Sequence, residues 1–124
     1  MHIERHTFSV TTDASGDGTG YSPAITGRVL GVFYTKDGTT PYDNTADITV
    51  TAEATGEAIW TQSNVTASAK KYPRVPVQDE AGADATLNGT EKMRDAVHVA
   101  KDRIKVVVAQ GGNTKTGSFT VIVG

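Results

Sequence analysis

Residues of opposite character alternate along most of the chain, and this alternation predicts strands. Between Glu4 and Thr12, Arg5, Thr7, Ser9 and Thr11 fall on one face and His6, Phe8 and Val10 on the other, the period of two of a half-buried strand. A second strand is expected from Ile25 to Lys36, with Gly27 and Gly31 at bulges or close backbone approaches. It is read with Val29 and Phe33 on one side and Leu30, Val32 and Tyr34 on the other. The most regular alternation runs from Asp47 to Ala54, where Ile48, Val50, Ala52 and Ala54 oppose Thr49, Thr51 and Glu53. After Gly56 a short strand, Glu57 to Gln62, places Ile59 and Trp60 on opposite faces, with Trp60 read as core. Ala96 to Ala100, Arg103 to Gln110 and Ser118 to Val123 complete the set.

The connections follow from turn chemistry. Asp13 to Gly20 holds three glycines and two aspartates in eight residues and reads as a turn or irregular loop. Asp37-Gly38 and the Pro41-bearing segment after it are expected to close the second strand against Asp47 to Ala54. A turn is placed at Lys101-Asp102, and the last two strands are expected to form a hairpin across Gly111 to Gly117. Residues 63–91 carry Pro73, Pro76, Gly82 and Gly89 among small residues and few large apolar ones, so they read as one long loop, a class of segment that is usually functional or ordered by a partner. The expectation is an all-β, single-domain antiparallel β-sandwich or small barrel over 1–124, with residues 1–8 as an N-terminal arm and 63–91 as a partner-binding loop.

Composition narrows the chemistry. Nineteen threonines among 124 residues fit half-buried strands. With no cysteine, disulfides, thiolate metal sites and cysteine nucleophiles are excluded. No apolar run approaches the roughly 18 residues of a membrane-spanning helix, and the first residues lack the apolar core of a signal peptide, so the expectation is a chain made in the cytoplasm with no membrane partner. A net charge of −2 without a basic block argues against nucleic acid as the main partner.

Candidate catalytic and metal motifs fall short. Asp13, Ser15, Asp17 and Gly18 match the first half of a calcium loop, but the position that needs a bidentate glutamate is Ala24. His2 and His6 are four apart, a spacing that converges only on a helix, and His98 has no acid or nucleophile motif beside it. No serine sits in a Gly-x-Ser-x-Gly elbow, and the glycine clusters miss phosphate-loop spacing. Glu53 and Glu57 have nothing to set their separation. No catalytic residue, metal site or cofactor is assigned, and the chain is read as not an enzyme. Lys70-Lys71-Tyr72-Pro73-Arg74 is the one concentrated positive patch and is read as a protein contact.

Several separated runs resemble one family. Thr11 to Gly18, Thr26 to Leu30, Ile59 to Val65 leading to Tyr72-Pro-Arg74, and Asp102 to Asn113 closing with Gly117-Ser-Phe119 are similar, in order, to small head structural proteins of tailed bacteriophages. The resemblance implies a virion component in the head: a capsid decoration or minor capsid protein that binds the major capsid protein as a homo-oligomer, for instance a trimer, and stabilises the shell. Alternatives are a head-completion or tail-tube ring protein, or a capsid-displayed carbohydrate-binding domain. The partner-binding residues expected under this reading are His6 and Phe8 in the arm, and Lys70, Tyr72, Arg74, Val75 and Val77 in the long loop.

Overall fold

A computed structural model describes residues 3–86 and 89–124, and these contain eleven strands and no helix. The strands are β1 (Glu4–Thr11), β2 (Gly18–Tyr21), β3 (Ile25–Lys36), β4 (Asp47–Ala52), β5 (Ala58–Gln62), β6 (Ala69–Lys71), β7 (Val75–Pro76), β8 (Arg94–Asp95), β9 (Val97–Asp102), β10 (Ile104–Ala109) and β11 (Thr116–Val123). The front sheet has the order β1-β11-β3-β6, with β9 on the same edge of β3 as β6, and the back sheet has the order β2-β10-β4-β5. Every pairing is antiparallel. The all-β expectation is met.

Alternation decides what lies between the sheets. Ile48 and Val50 of β4 and Ile104, Val106 and Val108 of β10 are fully buried, as are Val32 of β3 and Phe119 and Val121 of β11. These belong to one hydrophobic core that also takes in Trp60. Each such side chain contributes about 1.5–3 kcal/mol by leaving water. Four aromatic rings cross this core in a row: Phe8 on Phe119, Phe119 on Tyr34, and Tyr34 on Tyr42, with centroids 6.2, 5.2 and 5.9 Å apart. Tyr42 comes from the connection between β3 and β4, which is tied down where Asp43 N–H donates to the Gly111 carbonyl and Thr45 Oγ1 to the Gln110 carbonyl.

Neither expected hairpin forms. The strand β3 pairs with β11, β6 and β9, whereas β4 pairs with β10 and β5; β10 and β11 lie in different sheets. Their apolar faces do meet, but across the core, because alternation marks the inner face of a strand without marking its neighbour. At Lys101 to Arg103 the chain passes from the front sheet to the back sheet. Lys101 takes a φ of 47°, and buried Asp102 accepts the N–H groups of Ala54 and Arg103 at 2.9 and 2.8 Å.

Two segments also differ from expectation. Residues 4–8, expected in an arm, form the first part of β1 in register with β11, from Glu4 opposite Val123 to Phe8 opposite Phe119; Met1 and His2 lie outside the described residues. The long loop is partly ordered. It contains β6, β7, which pairs with β8 beyond its end, a bridge from Gln78 to Asp84, and Thr86, which bridges to Lys92 just past it. Its strands are two or three residues long and hold few large apolar side chains, so no period was visible.

Candidate functional site: the aromatic and basic side of the front sheet

The outer face of the front sheet is built by the strand positions that alternate with the core. Across β1 and β11 it carries hydroxyls, with Thr7 and Thr120 in contact at 3.1 Å and Thr11 donating to Thr116 at 3.3 Å. Toward β6 it becomes aromatic and basic. Phe33 lies between Thr120 of β11 and Lys70 of β6 in the pairing register. A Cβ on Gly31 would stand 3.1 Å from the Phe33 ring, so the glycine leaves the space that ring occupies.

Tyr72 follows β6 and packs edge-on against Phe33, with centroids 5.7 Å apart and planes at 71°. It remains 60% exposed, the most exposed large hydrophobic residue described. Arg74 is anchored by donating to the carbonyls of Pro73 at 2.7 Å and Leu30 at 3.5 Å, while its own residue stays exposed. Among the described residues, no carboxylate lies within ion-pair reach of Lys70 or Arg74. Lys71 points the other way, its ammonium 5.8 Å from the centroid of the Trp60 ring.

Directly after Arg74 the chain leaves the sheet and returns at Ala96. The described residues 75–86 and 89–95 form an arm based on the pairs Val75–Asp95 and Pro76–Arg94. Its centre is a closed circuit of backbone bonds: Val77 N–H donates to Met93 O, Met93 N–H to Ala85 O and Ala85 N–H to Val77 O, at 2.8, 3.1 and 2.7 Å. The tip is a turn in which the Asp79 carboxylate accepts the N–H groups of Ala81 and Ala83. Lys92 pairs with Asp84 at 2.9 Å, and this bond, with that from Gln78, holds the Asp84 carboxyl below the usual range. Val77 and Met93 are 37% and 47% exposed.

The residues singled out from the sequence therefore separate. Lys70 and Tyr72 come together at Phe33, and Arg74 reaches the Leu30 carbonyl of the same strand. Val75 packs against the core and Val77 belongs to the arm. His6 and Phe8 point inward from β1, with β11 between them and β3; His6 bonds to Glu4 at 3.1 Å and Phe8 stacks on Phe119. The expectation that Phe33 shares a face with Val29 is corrected. A register shift between Ile122 and Val123 inserts Leu30 as an extra residue, so Val29 faces the core and Phe33 the outside. The half-loop at Asp13 is a self-contained turn: its carboxylate accepts the N–H groups of Ser15 and Asp17.

Comparison with known proteins bears on the function drawn from the sequence. No family model and no curated protein matches the chain. A crystal structure of FlhE matches it with a TM-score of 0.50 at 10% sequence identity, covering 99% of this chain and 98% of that one. At that identity the likeness is one of fold. A solved structure that covers nearly all of this chain is thus FlhE rather than a capsid protein, and the reading as a capsid decoration protein, with its ring-protein and sugar-binding alternatives, is corrected. The physical reason lies in where the quoted runs fall. Thr26 to Leu30 lies within β3, Ile59 to Gln62 within β5, and Thr11 to Gly18 and Asp102 to Asn113 span strand ends and their turns. Threonine–valine alternation and aspartate–glycine turns at such places serve any antiparallel fold.

Proposed function

We propose that this chain is a non-catalytic docking domain that binds a protein partner through the front-sheet surface around Phe33 and Tyr72. One observation carries the reading: an aromatic pair, its outer ring 60% exposed, flanked by Lys70 and Arg74 with no carboxylate partner among the described residues. Tyrosine and arginine beside an aromatic floor are the residue types that dominate binding energy in protein interfaces, since each brings a large contact area and a polar tip. Anchoring of Arg74 on two backbone carbonyls lowers the entropy lost when a partner fixes it.

The test is a photo-crosslinking residue placed at Tyr72, with Thr61 on the exposed side of β5 as the control, in cells making the full chain. Discrete protein adducts from position 72 alone, abolished by Lys70→Glu with Arg74→Glu, are expected. Equal adducts from both positions, or none from 72, would overturn the reading.

A further inference from the structure

We infer that the occupant of this face is the acidic arm of a second copy of the same chain. This rests on the docking reading above and deepens it. Residues 75–95 carry five acidic side chains (Asp79, Glu80, Asp84, Glu91, Asp95) against Lys92 and Arg94, a net charge of −3. The docking face carries Lys70 and Arg74 and no acid among residues 69–74, a charge of +2, with Lys71 turned away toward Trp60. The two surfaces are complementary, and each molecule has both.

Both are also uncovered. From Val77 to Asp95 every described residue but Ala85 is exposed. Among the described residues the arm is held by backbone bonds, the side-chain bonds of Asp79 and Gln78 and the Asp84–Lys92 ion pair. Fixing a residue costs about 1–2 kcal/mol of backbone entropy, so an arm of this kind gains its order by burying Val77 and Met93 against something else. The exposed aromatic pair of a neighbour supplies an apolar surface ringed by the opposite charge. Because the arm and the face are different surfaces, the contact is head-to-tail; it closes into a ring if the rotation between copies permits and otherwise extends as a chain.

The experiment uses the full-length chain, with mass measured by light scattering and sedimentation over a range of concentration and salt. The wild type is expected to associate with rising concentration, and the midpoint to rise about tenfold or more at high salt. Two charge reversals follow. Lys70→Glu with Arg74→Glu makes the face acidic, and Glu80→Lys with Glu91→Lys makes the arm basic; both pairs leave the Asp79 carboxylate and the Asp84–Lys92 bond in place. Each variant alone is expected to stay monomeric, since its own face and arm now repel. Mixed together they are expected to associate, the acidic face of one taking the basic arm of the other. If circular dichroism finds the face variant unfolded, Lys70→Glu alone, which removes no hydrogen bond seen among the described residues and neutralises the face, is expected to weaken self-association without the mixing step.

A wild type that is monomeric at all concentrations, or variants that fail to associate on mixing, would overturn self-docking. If position 72 still crosslinks to a different protein, only the identity of the occupant falls. If it crosslinks to nothing, the docking face falls with it.

Discussion

Tyr42 lies against Gly117 so closely that a Cβ on the glycine would stand 2.7 Å from the ring, with the Tyr34 ring 2.8 Å away on the other side. The two stacked tyrosines thus fill the space a side chain would need, and β11 crosses them only because it has none at that point. Gly117→Ala is expected to destabilise the chain by about 1–3 kcal/mol through overpacking, because both rings are buried and cannot swing out. A thermal melt of the variant reads this directly; an unchanged melting temperature would refute the packing argument.

The hydroxyl of Tyr42 donates to the carbonyl of Val10, and burial, followed by the neighbouring Tyr34, pushes its pKa well above the ordinary phenol value. Tyr42 therefore stays protonated through the alkaline range in the folded state. Tyr42→Phe keeps the stack and removes this donor to the Val10 carbonyl. The expected loss is about 1 kcal/mol in denaturant unfolding with an unchanged slope.

Arg103 holds Glu53 through two hydrogen bonds of 2.6 and 2.7 Å, and these bonds keep the Glu53 carboxyl below its usual range. A carboxylate whose folded pKa is lowered contributes stability above its unfolded pKa, about 4.3, and loses it as pH falls through the lower folded value. Glu53→Gln is therefore expected to be less stable than the wild type at neutral pH, with the difference shrinking steadily as pH falls below that range. A constant difference across an acid titration would exclude this linkage.

Tyr72 offers the opposite case, an aromatic residue whose removal costs the fold little. With 60% of its surface already exposed, Tyr72→Ser is expected to change stability by no more than about 0.5 kcal/mol while abolishing adducts from a crosslinker at Lys70. A large fall in melting temperature would mean that the ring serves β6 rather than a partner.

How far the sequence reached differs between fold and site. The inner faces of β4, β10 and β11 were legible because a period of two identifies a buried side without reference to any other strand. Lys70, Tyr72 and Arg74 were legible as a patch because they are close in sequence. Phe33 was not, since one bulged residue at Leu30 reverses every parity counted through it. The arm was not either: its order comes from backbone bonds between Val77, Ala85 and Met93, which no side-chain pattern encodes.

By itself, then, the sequence determined the all-β class and the residues that must leave water, because each strand's burial preference is local. Only the tertiary structure decided which strands pair. The alternating rows of β10 and β11 complement each other equally well side by side or face to face, and the crossing at Lys101–Arg103, with Asp102 buried beneath Ala54, selects the second. That choice also places Phe33 under Tyr72 and turns a basic stretch of sequence into a surface.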